Sequence, residues 1–351
     1  MKPIDLRSDT VTKPTPEMRQ MMAAAQVGDD VFGEDPSINA LQDKVAALLG
    51  MEAALFVSSG TMGNQLAIRC HTEPGDEVIC EENSHSFNYE GGGPAALSGV
   101  QMRPLPGVRG VISAQQIRAA VRPADDHFPR TSLVIVENTH NRASGAIFPF
   151  DELKGISGFT RENSLKLHMD GARLWNAHIA TGIALRDYGA LVDSVSLCLS
   201  KGLGAPVGSV LAGSRAFITR AHRFRKMWGG GMRQAGILAA AGIHAIDHHL
   251  ARLAEDHRRA RRLAETFAKF AGVVVDMEAT QTNIMIADVE KAGLKTQELV
   301  VKMKESGVLC IAFSPTRLRL VTHLEISDAD IDHTINVVHK VLTAAGLHLI
   351  D

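Results

Sequence analysis

The stretch that most constrains this chain is DSVSLCLSKGLGAPVG, from Asp193 to Gly208. Its apolar residues alternate with small polar ones up to Ser200, which predicts a buried β-strand that ends at Lys201. Glycines and a proline follow at once, so the backbone can turn tightly and approach a bound group closely. A lysine held at a buried strand end is a candidate nucleophile for a carbonyl carbon, because burial lowers the pKa of its amine. The stretch alone leaves a second interpretation open, a solvent-exposed lysine after an ordinary strand.

Composition and charge narrow the class of protein. The chain has 351 residues, and its 45% hydrophobic content is enough for a large core and for two domains. Its 37 basic side chains nearly balance 39 acidic ones, so no overall charge attracts nucleic acid or an anionic membrane. A small-molecule substrate is therefore expected. The four cysteines are far apart and lack the close spacing of zinc ligands, so we expect no metal site and a reducing compartment.

The N-terminal sequence, MKPIDLRSDTVTKP, carries charges and prolines where a signal peptide needs an apolar core. No stretch of the chain reaches the roughly 18 apolar residues of a membrane span. We therefore expect a cytoplasmic protein, although a targeting segment removed beforehand would leave no trace.

Segments typical of strands alternate with segments typical of helices. The predicted strands of the first part lie at 55–57, 77–80, 100–104, 132–138 and 165–170, followed by the strand before Lys201. This alternation predicts an α/β sheet whose site lies in the loops at the strand ends. Beyond about residue 272, short strands and two helices predict a smaller α+β domain. The predicted units are an N-terminal arm at 1–14, a large domain at 15–250 and a small C-terminal domain at 251–351.

A second motif, SSGTMGN at 58–64, links an early strand to the start of a helix. At such a junction free backbone N–H groups and the helix dipole converge on one point. The motif therefore predicts a phosphate site at Ser59, Gly60 and Thr61. The alternative is an ordinary helix cap made by Ser59 or Thr61.

Three further segments carry charged or titratable side chains. Asp170 closes the strand LKLHMD, with Arg173 three residues later, which indicates either a buried site carboxylate or a helix cap with a local ion pair. His85 follows an earlier strand, where a lone histidine more often has a structural role than a catalytic one. A basic segment with Lys226 and Arg233 surrounds a GGG turn. It is either a solvated helix face or part of a phosphate site.

Taken together, these motifs supply the three anchors that pyridoxal phosphate needs. The helix start at Gly60 and Thr61 would hold the phosphate. Asp170 would keep the pyridine nitrogen protonated, and Lys201 would bind the cofactor covalently.

Eight motifs then make the sequence recognisable. They are RSDTVT, DDVFGEDP, SGTMGN, ENTHN, HMDGAR, CLSKGLGAPVGS, GGGMRQAG and RLVTH, in this order. Together they resemble the low-specificity L-threonine aldolases from residue 4 to about 345. The resemblance implies a fold-type-I pyridoxal-phosphate enzyme with a mainly parallel seven-stranded sheet, helices on both of its faces and a smaller α+β C-terminal domain. It also implies a homodimer or homotetramer whose active sites lie at the subunit interface.

The activity that the resemblance implies is that of a carbon–carbon lyase of amino-acid metabolism. Such an enzyme cleaves L-threonine, L-allo-threonine and related β-hydroxy-α-amino acids to glycine and an aldehyde such as acetaldehyde, and so serves threonine catabolism and glycine synthesis. The preference between these substrates stays open.

Site roles follow from the resemblance motif by motif. Lys201 matches the lysine that binds the cofactor, Asp170 the partner of the pyridine nitrogen, and His85 the histidine that stacks on the ring. The residues that match the holders of the substrate carboxylate are Ser8, Arg173 and Arg319, with Arg317 as the alternative to Arg319 on the same strand. Lys226 and Arg233 would reach the phosphate from a partner subunit, and His127 would lie near the substrate hydroxyl. The base that removes the hydroxyl proton is His85, His127 or a water molecule.

Three rival functions have weaker support. Another pyridoxal enzyme of the same fold, such as a β-eliminating lyase or an aminotransferase, would use the same anchors. A dinucleotide-binding protein is disfavoured, because GLGAPVG has the wrong glycine spacing and a proline where a helix must begin. An inactive interaction protein is disfavoured because every expected site residue is present.

Overall fold

Strands and helices alternate along the chain in the computed structural model, which describes residues 3–350. The strands are β1 (Ile4–Asp5), β2 (Ala53–Val57), β3 (Glu77–Glu81), β4 (Gln101–Leu105), β5 (Thr131–Glu137), β6 (Lys166–Gly171), β7 (Ser194–Cys198), β8 (Ser209–Gly213), β9 (Val274–Val275), β10 (Ile284–Asp288), β11 (Val308–Leu309), β12 (Ile311–Ala312) and β13 (Arg317–Val321). The α-helices are α1 (Pro16–Ala23), α2 (Pro36–Leu49), α3 (Gly60–His71), α4 (His85–Asn88), α5 (Ala114–Ala120), α6 (Phe150–Glu162), α7 (Leu174–Thr181), α8 (Leu185–Gly189), α9 (Arg215–Met227), α10 (Gly236–His249), α11 (Leu253–Ala268), α12 (Thr296–Glu305) and α13 (Asp328–Ala344).

The central sheet has seven strands in the order β2-β8-β7-β6-β5-β3-β4. β8 is antiparallel to both β2 and β7, and the other neighbouring pairs are parallel. Every residue of β3, β5 and β7 is buried, as expected for parallel strands with helices packed on both faces. The expected mainly parallel seven-stranded sheet is thus confirmed, and the carboxyl ends of β5, β6 and β7 meet at one edge.

The strand before Lys201 is shorter than the sequence pattern predicts. β7 ends at Cys198 rather than at Lys201, because the chain turns back there to form β8, a strand that our sequence analysis missed. The base of the turn is closed by a hydrogen bond from Leu199 N to Gly208 O of 3.0 Å. Gly204 has a φ of +79°, a conformation that glycine adopts without strain.

A second sheet lies in the C-terminal part, with four antiparallel strands in the order β12-β13-β10-β9. The apolar segment 308–312 is divided at Cys310, so that β11 and β12 join different sheets. β11 pairs in parallel with β1 of the N-terminal arm. The apolar residues around this second sheet form a core separate from that of the large sheet, and Leu6 of the arm belongs to it. The exact division at residue 250 stays a prediction.

None of the helices in residues 3–350 has the length and apolar character needed to span a membrane.

We expect the arm to be a structural part of the smaller core. Leu6 is fully buried there, and its backbone bonds to Leu309 O at 2.8 Å and to Val321 N at 2.9 Å. Leu6→Ala should lower the free energy of unfolding by about 2–5 kcal/mol, because it leaves a cavity. Urea unfolding measures this, and the half-buried Ile4 on the same arm supplies the control variant Ile4→Ala. Equal effects of the two variants would contradict a buried anchor at Leu6.

Candidate active site

A cavity of about 450 Å³ opens where the carboxyl ends of β6 and β7 meet the arm and the smaller domain. Most of the site residues predicted from the sequence line it: Ser8, Ser59, Gly60, Thr61, His85, Asp170, Arg173, Lys201 and Arg319. The predicted residues His127, Lys226 and Arg233 do not line it. The structure therefore brings together one group of predicted residues from the arm, the sheet edge and β13.

The N-terminus of α3 forms one wall of the cavity. Ser59 caps this helix, since its hydroxyl accepts from Met62 N at 3.1 Å. The amides of Gly60 and Thr61 precede the first intrahelical hydrogen bond and can donate to an anion. A Cβ atom on Gly60 would lie 2.8 Å from Cys198 Sγ, so only glycine allows this close approach to β7. The Ser59 cap therefore leaves the Gly60 and Thr61 amides free to donate to an anion.

Asp170 presents a buried carboxylate at the end of β6. Its Oδ1 accepts from Ala172 N at 3.1 Å, and its Oδ2 accepts from Asn64 Nδ2 at 2.8 Å. The alternative of a helix cap with a local ion pair is wrong, because Arg173 pairs with another carboxylate and α7 begins without a side-chain cap. Our sequence analysis missed Asn64, although a polar residue on the buried face of a helix is a recognisable signal.

Lys201 lies in the turn after β7 and is half-buried at the cavity wall. Its carbonyl oxygen accepts from Gly204 N at 2.8 Å and from Thr12 Oγ1 at 3.2 Å. Its amine lies 3.4 Å from Cys198 Sγ and forms no ion pair with any carboxylate of the described chain. The interpretation of Lys201 as a solvent-exposed lysine is thus wrong, because the residue is half-buried and lines the same cavity as Asp170 and Arg319.

His85 begins the short helix α4 and is held from two sides. Its backbone N–H donates to Glu137 Oε2 at 2.7 Å, and its Nδ1 lies 2.9 Å from Glu90 Oε1. The hydrogen bond with Glu90 raises the pKa of His85 above its usual value near 6.5. Since Glu90 is the acceptor, Nδ1 carries hydrogen and Nε2 of the neutral ring is free to accept a proton. Our sequence analysis missed Glu90, which follows His85 in the segment SHSFNYE.

A ligand atom from each of His85, Glu90 and Asp170 lies within 4.8 Å of the other two. Hydrogen bonds already join these groups, because Asn64 Nδ2 donates to both carboxylates. The cluster is therefore a hydrogen-bonded group of two carboxylates and a histidine.

Two buried arginines line the cavity, and only one of them has a carboxylate partner in the described chain. Arg173 forms a two-point ion pair with Asp9, with both N–O distances 2.7 Å. Arg319 forms no ion pair with the described carboxylates; its hydrogen bonds go to Asn141 Oδ1 at 3.0 Å and Arg7 O at 3.1 Å. The Nε atom of Arg319 is buried and has no acceptor within residues 3–350.

Burial, reinforced by the neighbouring Arg173, lowers the pKa of Arg319 to about 10, so its guanidinium remains charged at neutral pH. A buried guanidinium without a carboxylate partner has the charge and the free N–H group to bind an anion. The alternative residue Arg317 is exposed, pairs with Asp288 at 3.3 Å and does not line this cavity.

Three predicted residues lie elsewhere on the same chain. His127 has a side chain that is 90% exposed and bonds to Asp125 Oδ1 at 2.7 Å. Arg233 pairs with Asp29 at 2.8 Å on the surface, and Lys226 lies in the last turn of α9. One chain alone does not place them at the cavity.

The Asp9–Arg173 pair generates a stability prediction. Burial would raise the pKa of Asp9, but Arg173 lowers it well below 3.8. A carboxylate with a depressed native pKa stabilises the fold above its unfolded pKa, and this stabilisation is lost as the pH falls towards the native pKa. At pH 7, Asp9→Asn should cost about 3–5 kcal/mol, because it leaves a buried guanidinium without a partner.

The difference between wild type and Asp9→Asn should narrow as the pH falls below 3.8. Chemical unfolding across pH measures it, and Asp5→Asn is the control, because Asp5 pairs with Arg7 near the surface and such pairs are worth at most about 1 kcal/mol. Equal losses of unfolding free energy for the two variants would show that the buried Asp9–Arg173 pair stabilises the fold no more than the Asp5–Arg7 pair does.

Comparisons with known proteins show which family the chain belongs to. The beta-eliminating lyase family model matches residues 5–290. The chain is 46% identical to the low specificity L-threonine aldolase of Escherichia coli K12 over 325 residues, 92% of this chain and 95% of that protein. It is 42% identical to the probable low-specificity L-threonine aldolase 2 of Arabidopsis thaliana over 346 residues, 97% of this chain and 98% of that protein.

Solved structures share the fold over almost the whole chain. A threonine aldolase from Leishmania major has a TM-score of 0.83 at 20% identity, covering 97% of this chain and 100% of that one. A putative L-allo-threonine aldolase from Listeria monocytogenes has a TM-score of 0.79 at 23% identity, covering 97% and 96%. These likenesses confirm the expected fold-type-I architecture. Together with the sequence identities, they show that the chain belongs to the beta-eliminating lyase family and, within it, to the low-specificity L-threonine aldolases.

Proposed function

We propose that this protein cleaves L-threonine, L-allo-threonine and related β-hydroxy-α-amino acids to glycine and an aldehyde, which is acetaldehyde for threonine. One observation carries the proposal: the unpaired guanidinium of Arg319 shares a cavity with the amine of Lys201 and the buried carboxylate of Asp170. An amine and a carboxylate can hold a carbonyl cofactor, and the guanidinium can hold the carboxylate of an amino acid. The names of the curated relatives support the same activity.

Pyridoxal phosphate fits the chemistry of this donor set. The amides at the start of α3 suit its phosphate, the Asp170 carboxylate suits a protonated pyridine nitrogen, and the Lys201 amine suits its aldehyde. When bound, the cofactor supplies an electron sink for the electrons of the bond that breaks. The residues of this chain then determine which bond that is.

Arg319 selects the bond by fixing one end of the substrate. Its free Nε and charged guanidinium bind the substrate carboxylate, with help from the Ser8 hydroxyl at the same wall. Arg173 is occupied by Asp9 on two of its nitrogens, so it holds the arm and Ser8 in place and offers its remaining N–H groups to the same carboxylate. A carboxylate fixed in this way turns the Cα–Cβ bond towards the orientation required for cleavage.

His85 is our proposed base for the hydroxyl proton. His85 lines the cavity and its Nδ1 is bonded to Glu90, so Nε2 is the ring nitrogen that can accept the proton. A raised pKa makes the neutral ring a stronger base. His127, which is exposed on its own chain, is the second candidate and would have to act from a partner subunit.

We further propose a homodimer or homotetramer in which Lys226 and Arg233 approach the phosphate of a neighbouring subunit. Exposed apolar side chains near these residues support it: Phe32 is 72% exposed and Met227 is 64% exposed. Apolar surface of this kind is typical of an interface. A cytoplasmic location is supported by the free state of all four cysteines.

Substitution of Arg319 tests the function against a matched control. Arg319→Gln should lower kcat/KM for L-threonine at least about 30-fold, because a buried charge pair with the substrate is lost. Arg317→Gln, on the same strand but outside the cavity, should change it less than about threefold. Lys201→Ala should abolish turnover and serves as the inactive reference.

The products decide the reaction type in the same experiment. We expect glycine and acetaldehyde in equal amounts from wild-type protein with pyridoxal phosphate. Release of ammonia with a 2-oxo acid would instead establish β-elimination and contradict the proposal. Equal losses for Arg317→Gln and Arg319→Gln would remove Arg319 as the carboxylate site.

The role of His85 generates a pH prediction. If its neutral ring removes the hydroxyl proton, kcat should fall as the pH decreases through its pKa, which lies above 6.5. His85→Phe keeps an aromatic face but removes the base, so kcat should fall by roughly 10²- to 10⁴-fold and the acidic limb should disappear. His85→Asn, which retains a polar group, should keep more activity than His85→Phe. A His85→Phe enzyme within a few-fold of wild type would leave stacking as the role of His85 and favour His127 or water as the base.

A further inference from the structure

A chain of hydrogen-bonded side chains runs from Asp170 into the protein interior. Asn64 Oδ1 is 3.1 Å from His168 Nε2, and His168 Nδ1 is 2.9 Å from Ser194 Oγ. Ser194 Oγ is in turn 2.8 Å from His71 Nε2. We call Asp170, Asn64, His168, Ser194 and His71 the buried polar chain. Its first four members are at most 4% exposed, and two of them, Asp170 and Asn64, line the cavity.

Two neighbouring carboxylates show which end of the Asn64 amide is the nitrogen. Its Nδ2 donates one hydrogen to Asp170 Oδ2 and the other to Glu90 Oε1, both at 2.8 Å. The reversed amide would place its oxygen against two carboxylate oxygens, which is repulsive. Asn64 Oδ1 therefore faces His168 as an acceptor, and His168 Nε2 carries the hydrogen.

The remaining hydrogens follow because both rings are neutral. Burial lowers the pKa of His168 to about 4 in spite of the attraction of Asp170, and it lowers the pKa of His71 to about 3. Neutral His168 accepts at Nδ1, so the Ser194 hydroxyl donates there, and the Ser194 oxygen accepts from His71 Nε2. Every donor thus points towards Asp170, and the bond dipoles reinforce one another.

Asn64 supplies a larger share of the hydrogen bonds to Asp170 than of those to Glu90. Glu90 also accepts from Gln65 Nε2 at 2.6 Å and from His85 Nδ1 at 2.9 Å. Within the described chain, the Asp170 carboxylate accepts only one other hydrogen bond, from Ala172 N at 3.1 Å. Loss of the Asn64 amide orientation would therefore affect the Asp170 carboxylate first.

We propose that His168 is a positioning residue for Asp170. Its Nε2–H bonds to Asn64 Oδ1 and holds the amide in the orientation that donates to the carboxylate. These two hydrogen bonds stabilise the negative charge offered to the pyridine nitrogen of the cofactor. The inference rests on the proposed function, in which Asp170 is the partner of that nitrogen. It assigns a function to the histidine of the HMDGAR motif, two residues before Asp170 on β6.

Cofactor binding to His168 variants tests this role. The probes are pyridoxal phosphate and its 1-deaza analogue, which has carbon in place of the pyridine nitrogen and gives Asp170 nothing to bind. His168→Leu should weaken binding of pyridoxal phosphate by roughly tenfold, as for a lost hydrogen bond to a charged group, and change binding of the analogue less than about twofold. His168→Gln should recover most of the loss, because its amide can donate to Asn64 and accept from Ser194.

His71→Leu is the matched control at the far end of the chain, where no contact with Asn64 is made. It should change the affinity for either probe less than about twofold. Equal weakening of both probes by His168→Leu would indicate a packing effect and overturn the inference. No weakening of either probe would overturn it as well.

A second measurement does not depend on cofactor binding or on how the variants fold. In ¹⁵N NMR of histidine rings in the wild-type protein without cofactor, His168 should be neutral with hydrogen on Nε2 between about pH 6 and 9. Hydrogen on Nδ1, or titration of His168 within that range, would overturn the inference.

The two proposals fail in different ways. Wild-type protein that binds no pyridoxal phosphate would contradict the proposed function, while the NMR result still decides the state of His168. Wild-type protein that binds the cofactor and cleaves threonine, with an unchanged preference over the analogue in His168→Leu, would overturn only the role of His168.

Discussion

The site depends on one reversal of the chain, between β7 and β8. β7 is parallel to β6 and antiparallel to β8, so the chain must turn back at the sheet edge where β6 also ends. Asp170 pairs with Ser196 in that register, and the turn after Cys198 therefore sets Lys201 at the cavity that Asp170 also lines. A longer β7 would carry the lysine away from the edge while every other group stayed in place. The glycine-rich turn therefore determines the position of the Lys201 amine, because it ends β7 at the edge of the cavity.

Charge burial joins three parts of the molecule at the same cavity. The arm contributes Asp9, the loop between β6 and α7 contributes Arg173, and β13 of the smaller domain contributes Arg319. The first two neutralise each other in a buried pair, whereas the third has no carboxylate partner in the described chain. A buried charge without a partner is unfavourable by several kcal/mol, and an anionic ligand removes that cost when it binds. The same arm is held to the smaller core by Leu6, so stability of that core and geometry of the carboxylate site are coupled.

Much of this arrangement could be predicted from the sequence, because it depends on local signals. The alternation of strands and helices, the helix start at Gly60, and the positions of Asp170 in the end of a strand and of Lys201 shortly after one are properties of short segments. The missing parts depend on contacts between distant segments. The choice of Asp9 as the partner of Arg173 joins residues that are 164 positions apart, and the Asn64–Asp170 contact spans 106 positions. Periodicity carries no signal for such pairs, and the end of β7 was misplaced for the same reason, since the return strand β8 decides it.

The carboxylates around Asp170 place two opposing demands on the site. A negative environment favours a protonated pyridine nitrogen, which the proposed chemistry requires, and the Glu90 carboxylate in that environment also raises the pKa of His85. A higher pKa makes His85 a stronger base but lowers the fraction of neutral ring at pH 7, and base catalysis is most effective when these two effects balance near the working pH. The buried polar chain eases this conflict, because it supports Asp170 with neutral donors and adds no positive charge that would lower the pKa of His85. We infer that this fold stabilises the Asp170 carboxylate with neutral hydrogen-bond donors. A cation in their place would also lower the pKa of His85 and so weaken the base.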